Sequence, residues 1–360
     1  MKIKYMMLTL TDKCNLQCIY CYEKNKTDAV MDKDFAIQAI EAELNGNDEY
    51  DAVEVAFHGG EPFLCFGMIK EICERIWAET YKKKYYFFIT TNGTLVAGEV
   101  QEWLFRNKDK IMCCLSIDGN SHMQDINRCG SFDRLDLEFF RRTWPQQEVK
   151  MTVSNETLPE LYDGIVFLHE CGFEIAENFG YGIDWNQADN VSILTRELSK
   201  LIRYYLDHPE LKRCRLLSAP IEYLAYDHLD NIHCSIGDMV VYSVDGRKYP
   251  CHFFLPNSVG DEMAEKSFRI DFTDKSIYQD PSCRNCKALN VCPTCYGANY
   301  AATGSPAIRD KTLCEMIKVS AKATAYLLYQ IIDIHGISFL NLSPEKEKAT
   351  LIGIQKANEI

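Results

Sequence analysis

The sequence predicts an α/β protein, built as a partial, TIM-like (β/α)6 barrel with a C-terminal cysteine-rich extension that carries a small β-hairpin and helices. Two observations lead to this prediction. In the first half of the chain, short β-rich runs alternate six times with segments of helical period, as in parallel strands that helices cover on both faces. In the last third, the chain changes to short segments that contain seven cysteines.

The elements can be placed in order along the chain. Strands are predicted over residues 4–11, 52–58, 85–91, 111–118, 148–153 and 175–181, and helices over 34–44, 68–81, 100–107, 134–142, 158–171 and 190–207. A helical region at 220–230, a hairpin at 239–249 with an Asp245-Gly246 turn, and a final helix at 315–334 follow, before a charged tail. We therefore expect a barrel over 1–210, a helical linker over 211–230, a cysteine-rich domain over 231–335 and a tail over 336–360.

Composition limits the classes of function. The 360 residues are 47% hydrophobic and 25% charged, which is typical of a globular protein. A net charge of -13 argues against a nucleic-acid partner, because phosphate-binding surfaces are rich in Lys and Arg. We find no signal peptide and no apolar run of about 18 residues, so we expect a cytoplasmic protein that does not enter a membrane. Seventeen cysteines in a reducing compartment indicate metal or cluster ligation.

Polar and glycine-bearing turns follow several of the predicted strands. Cys14 lies in the loop after the first strand, Gly59-Gly60-Glu61 follow the second, and Ser116 and Asp118 end the fourth. Because chemistry in parallel barrels gathers at the carboxyl ends of the strands, we expect these residues to meet at one rim.

The first cysteine group has the spacing Cys14-x3-Cys18-x2-Cys21. Three thiolates from one loop can hold three irons of a cubane and leave the fourth iron open to a small molecule. A zinc site is the alternative, but zinc normally takes four protein ligands and no fourth lies nearby in the sequence.

This spacing, with Tyr20 before the third cysteine, resembles the radical S-adenosylmethionine (SAM) superfamily. The resemblance implies a [4Fe-4S] cluster that binds SAM and cleaves it to a 5′-deoxyadenosyl radical. Gly59-Gly60-Glu61 resembles the family's GGE motif. For Arg128, an ion pair at the protein surface is an alternative that stays equally open beside a contact with SAM. The resemblance implies contacts to SAM for Tyr20, Gly59, Gly60, Glu61, Ser116, Asp118 and Arg128.

The cysteines of the last third resemble the SPASM extension of radical SAM enzymes, which houses two auxiliary [4Fe-4S] clusters. One spacer departs from the family pattern, since two residues rather than three precede Cys295. Two structural zinc sites are the alternative, because C-x2-C pairs also suit zinc. The resemblance assigns Cys283, Cys286, Cys292 and Cys314 to the distal cluster, and Cys234, Cys251 and Cys295 to the cluster nearer SAM.

The nearer cluster has three evident thiolates, with Cys214 a distant candidate for the fourth. We therefore hypothesise an open iron that binds a substrate thiolate.

Radical SAM enzymes with this extension typically act on peptides or proteins, so the resemblance implies a peptide-modifying oxidoreductase that forms a thioether or another crosslink. One alternative is oxidation of Cys or Ser to formylglycine, as in anaerobic sulfatase maturation. There an acidic residue follows the second SPASM cysteine; here His252 stands in that place and could act as the base. Another alternative is a non-enzymatic iron-sulfur sensor or zinc-stabilised binding module.

We expect a flavodoxin- or ferredoxin-type electron donor. Because the first strand lies at the start of the chain, we also expect no leader-binding module before it, so that a separate protein could recognise a leader peptide.

Overall fold

The barrel strands of the computed structural model lie where the sequence predicts them. The structure describes residues 1–227, 234, 236 and 239–360. Parallel pairing joins the first four strands in chain order, and the last two form a second parallel pair linked to the fourth strand through Ser116 and Lys150. The predicted fold class is thereby confirmed. The strands are β1 (Ile3–Thr11), β2 (Ala52–Gly59), β3 (Lys84–Thr91), β4 (Ile111–Leu115), β5 (Val149–Val153) and β6 (Ile175–Phe179).

Helices cover the outer face of this sheet. Side chains such as Met6, Leu8 and Phe87 are fully buried between strands and helices. One helix of the barrel was not predicted. It follows β4, where the Asn120 side chain accepts the backbone N–H of Met123 and caps the first turn of the helix. The barrel helices are α1 (Lys33–Asn45), α2 (Phe66–Trp77), α3 (Glu99–Arg106), α4 (Ser121–Asn127), α5 (Leu137–Thr143), α6 (Leu161–Glu170) and α7 (Asn190–Asp207).

The predicted hairpin is present as β7 (Met239–Tyr242) and β8 (Lys248–Tyr249), paired antiparallel. Its first arm also pairs in parallel with β1, from Tyr5 opposite Met239 to Leu8 opposite Tyr242. The hairpin therefore continues the barrel sheet beyond β1, which the sequence did not predict. The helices of the extension are α8 (Pro256–Val259), α9 (Asp261–Ser267), α10 (Tyr296–Thr303) and α11 (Cys314–His335).

The expectation of a charged tail after α11 is wrong, because α12 (Pro344–Lys356) forms there. Ser343 caps this helix. The helix has only a short apolar face, which is hard to recognise in the sequence because many of the neighbouring residues are charged. Gly353 lies so close to a 3-10 helix at Ile221–Ala225 that an added Cβ would come within 2.1 Å of the Ile221 carbonyl oxygen. That 3-10 helix occupies the predicted helical region at 220–230, of which residues 228–230 lie outside the described part.

Among the residues that the structure describes, no helix is both long enough and apolar enough to span a membrane.

Candidate functional site

The cysteine loop after β1 is anchored from two sides. The backbone N–H of Ile19 donates to the carbonyl oxygen of Asn127, at the end of α4, over 3.1 Å. On the other side, the Asn92 amide that follows β3 lies 3.9 Å from the Cys14 sulfur. Cys14, Cys18 and Cys21 are all partly exposed residues, so the loop places three thiols at one rim of the barrel.

The glycine turn after β2 lies directly against this loop. The Gly60 backbone N–H donates to the Thr11 carbonyl over 2.9 Å, and an added Cβ on Gly60 would come within 2.4 Å of the Lys13 carbonyl oxygen. Gly59 has φ +145°, and its Cβ would lie 2.2 Å from the Thr11 carbonyl oxygen. Only glycine allows this backbone approach at both positions.

Glu61 joins the turns after β2 and β3. Its buried carboxylate accepts the backbone N–H of Phe63 over 3.1 Å, the Thr91 hydroxyl over 2.8 Å and the backbone N–H of Asn92 over 2.8 Å. Burial raises the pKa of Glu61 to about 7, although these hydrogen bonds favour the ionised form. The side chain thus holds Asn92 where its amide faces Cys14.

Arg128 forms a buried ion pair rather than a surface one. Its Nε lies 2.9 Å from Asp118 Oδ2 and a terminal nitrogen lies 3.2 Å from Oδ1, while Asp118 is fully buried. Tyr20 of the cysteine loop donates its hydroxyl to the same carboxylate over 2.5 Å. Ser116, the bridge residue between β4 and β5, is also buried. The Asp118 carboxylate therefore fixes the segment before Cys21 against β4.

Six of the seven cysteines of the extension line a cavity of about 570 Å³ beside the end of β6. The seventh, Cys251, is buried in the hydrophobic cluster against which Cys234 and Cys295 pack. Tyr181 and Cys295 pack against the same hydrophobic cluster that contains Cys251. Cys214 instead lies against Tyr205 and Glu177, away from this group. The thiols lining the cavity are Cys234, Cys283, Cys286, Cys292, Cys295 and Cys314.

Zinc sites and iron-sulfur clusters arrange their ligands differently. A structural zinc site gathers four side chains around one ion. In a cubane each thiolate binds a separate iron, so the sulfurs lie further apart. The cavity provides room for such groups beside the barrel.

Three polar residues near His252, namely Tyr22, Glu23 and His58, were not predicted from the sequence; Glu23 is buried and the other two are half-buried. The Tyr22 hydroxyl lies 3.3 Å from His58 Nε2, and the rings of His58 and His252 stack at 5.6 Å. His58 Nδ1 lies 3.8 Å from Glu23 Oε1, and neither atom has a hydrogen-bond partner among the described residues. Burial lowers the pKa of His58 to about 3 and that of His252 to about 4, so both rings are neutral. Adjacency to Cys21 and to the glycine turn could have revealed them.

Comparison with known proteins defines the class. Residues 8–128 match the model of the Radical SAM superfamily, so the segment holding the cysteine loop, the glycine turn and Arg128 is a radical SAM domain. Such a domain implies SAM and a [4Fe-4S] cluster as cofactors.

The particular group within that class follows from the longer matches. The cysteine-type anaerobic sulfatase-maturating enzyme of Clostridium perfringens is 23% identical over 78% of this chain and 84% of its own length. The resemblance to radical SAM proteins with a SPASM-type extension is confirmed. An uncharacterized protein of Methanocaldococcus jannaschii is 34% identical, but over only 32% of this chain and 39% of its own length. The chain thus matches about two fifths of that relative.

Two solved structures share the fold and contain peptides. One is native anSMEcpe with bound AdoMet and the Cp18Cys peptide, with a TM-score of 0.69, 17% identity, and coverage of 95% of this chain and 100% of that one. The other is Streptococcus suis SuiB bound to its precursor peptide SuiA, with a TM-score of 0.59, 17% identity, and coverage of 86% and 76%. At these identities the likeness establishes the fold alone.

Proposed function

We propose that this protein is a radical SAM enzyme that modifies a peptide or protein and forms a thioether or another crosslink. The observation that carries the proposal is the second set of seven cysteines beside a radical SAM domain, six of which line one cavity. The peptide-bound states of anSMEcpe and SuiB support a peptide as the substrate class.

In this proposal, Cys14, Cys18 and Cys21 hold the first cluster, which supplies reductive cleavage of SAM when loaded. Tyr20 and Asp118 position the loop that carries these thiols. Gly59 and Gly60 permit the close backbone approach, and Glu61, Ser116 and Arg128 complete the surroundings of the bound cofactor. A flavodoxin- or ferredoxin-type protein is the proposed electron donor.

We assign the seven thiols of the C-terminal extension to two auxiliary [4Fe-4S] clusters. Cys283, Cys286, Cys292 and Cys314 make one set, while Cys234, Cys251 and Cys295 make a set of three. Tyr181 lies in the same cluster as the second set. Three thiolates leave one iron for a thiolate of the substrate. Mössbauer spectra that change when a thiol-bearing peptide is added support this assignment, and a fourth protein thiolate contradicts it.

The test of the function is anaerobic incubation with SAM and a reductant. We expect 5′-deoxyadenosine from the native protein and none after replacement of Cys14, Cys18 and Cys21 by Ala. Cys292→Ala should spare SAM cleavage more than peptide modification, while Cys171→Ala, outside all three sets, is the matched control. Absence of 5′-deoxyadenosine from the native protein would eliminate both crosslinking and formylglycine formation as its function.

Iron analysis tests the number of clusters separately. Three cubanes contain roughly twelve irons, whereas one cubane with zinc in the extension contains about four.

A second candidate function, oxidation of Cys or Ser to formylglycine, is favoured by the match to the sulfatase-maturating enzyme over most of the chain. His252 is neutral, directly follows Cys251 and lies next to the His58 ring, so it could accept a proton. A hydrazide probe labels the aldehyde of formylglycine and does not label a crosslink. Labelling of the product by this probe would replace the first proposal with the second.

A further inference from the structure

Lys150 of β5 places an ammonium group on the inner face of the barrel. Phe87 and Ile89 of β3 belong to the core under the helices, so the alternate residues Phe88 and Thr90 face the opposite way, into the barrel. The Nζ of Lys150 donates to the Thr90 hydroxyl over 3.0 Å and lies 5.9 Å from the centre of the Phe88 ring. Lys150 therefore projects across the interior from β5 to β3.

No described carboxylate lies within ion-pair distance of this ammonium, although the charge of Lys150 reaches Glu54 and favours its ionised form. Within that part of the chain, Lys150 forms no ion pair, and its one hydrogen-bond acceptor is the Thr90 hydroxyl. The neighbouring carboxylate, Glu54, accepts the Tyr86 hydroxyl over 2.9 Å. By contrast, Lys200 and Lys212 on the outside of the barrel both pair with glutamates.

The Lys150 side chain is exposed in this open interior rather than packed in the core. A ligand that closes over Lys150 would remove water from an unpaired ammonium, which costs free energy unless the ligand brings an anion.

Lys150 lies next to the rim that carries the proposed cofactor residues. Its backbone pairs with Ser116, while its ammonium reaches back to Phe88 and Thr90, which are residues within β3. The ammonium thus faces the barrel interior beside the proposed SAM site.

We propose that Lys150 binds the carboxylate of an Asp or Glu side chain of the substrate peptide, next to the residue that is modified. This inference rests on the proposed function, since it requires a peptide substrate. A local cation is needed for such a peptide because the chain carries a net charge of -13, which repels acidic ligands elsewhere on the surface.

The experiment uses anaerobic, cluster-loaded enzyme with SAM, and a displayed library of peptides with one fixed Cys flanked by randomised residues. We expect retained peptides to be enriched in Asp or Glu at a constant distance from the Cys. Lys150→Met should abolish this enrichment and Lys150→Arg should retain it. Lys322→Met, at an exposed position of α11, is the control. Exchanging the selected acid for its amide should weaken binding to the native enzyme about tenfold, and should not change binding to Lys150→Met.

Each other outcome has a defined meaning. Retained peptides without an acidic preference, or with the same preference in Lys150→Met, overturn the inference while leaving the proposed function standing. Tenfold weaker SAM binding by Lys150→Met, measured without peptide, assigns the ammonium to the SAM carboxylate and also overturns it. If native enzyme binds SAM but retains no peptide, the proposed function itself fails.

Discussion

Gly60 sets the distance between the glycine turn and the cysteine loop. In Gly60→Ala the new Cβ would meet the Lys13 backbone, which has no flexible end that could move aside. We expect a loss of about 1–3 kcal/mol in stability, together with lower iron content and less 5′-deoxyadenosine. Thermal unfolding and iron analysis of anaerobically purified protein measure both effects.

Gly67 provides the matched control for this substitution. It lies in the first turn of α2, and nothing stands within 4 Å of an added Cβ. Gly67→Ala should therefore stabilise the helix by about 0.5–1 kcal/mol and leave the iron content unchanged. Equal iron content in both variants would contradict the role given to Gly60.

The buried ion pair between Asp118 and Arg128 leads to a prediction about stability and about order in the cysteine loop. Arg128→Met leaves a carboxylate fully buried with its cation removed, and breaking such a pair costs about 3–5 kcal/mol. Because Asp118 also holds Tyr20, the variant should lose order in the cysteine loop as well. Hydrogen exchange of that loop, with thermal unfolding, measures the result.

Arg141→Met is the control for that pair, since Arg141 is bound to Glu138 at the surface. It should change little, because exposed pairs are screened by solvent. A comparable shift of the unfolding temperature in both variants would show that burial of the Arg128 pair is unimportant.

At the scale of elements, α6 and α7 are joined by a titratable contact. His169 of α6 is buried, and its Nε2 lies 2.9 Å from the Tyr205 hydroxyl of α7. Burial lowers the pKa of His169 below its ordinary 6.5, so below pH 6.5 the unfolded chain binds a proton that the folded chain does not. Stability should therefore fall as the pH drops through 6.5, by up to about 1.4 kcal/mol for each unit of pKa shift.

His169→Gln keeps a hydrogen-bonding side chain and removes the titration. The stability of native protein relative to this variant should decrease between pH 7.5 and pH 5.5 in thermal unfolding curves. If stability changes equally with pH in both proteins over that range, the protonation of His169 does not affect the packing of these helices.

The elements also show what sequence reasoning can reach. The barrel strands were predictable because apolar runs and their turn residues are local signals. Pairing of β7 with β1 was not, since residues 239–242 give no sign of which edge they join. Likewise α12 reads as a charged tail, because its packing on Ile221 depends on Gly353 rather than on a long apolar stripe. The buried pairing of Arg128 with Asp118 required the same tertiary information.

For the whole molecule, the extension depends on its cysteine ligands more than the barrel does. The barrel core is continuous from β1 to α7, whereas the segment of the extension before α11 packs around a smaller core, with short helices and a cavity lined by thiols. Iron removal should therefore raise hydrogen exchange over residues 251–314 and leave β2 and β3 protected, because ligand binding and folding are coupled. Equal exchange in both regions would contradict this division.

The strand β7 joins the sheet beside β1, which emerges from the ribosome much earlier together with β2, β3 and β4. Until residue 242 has been synthesised, the outer edge of β1 has no partner on that side, and an unpaired edge readily joins other chains. A nascent chain that ends within the barrel is therefore exposed to mispairing at its first strand. Production of a shortened protein from this sequence should retain β7, or cover that edge by other means.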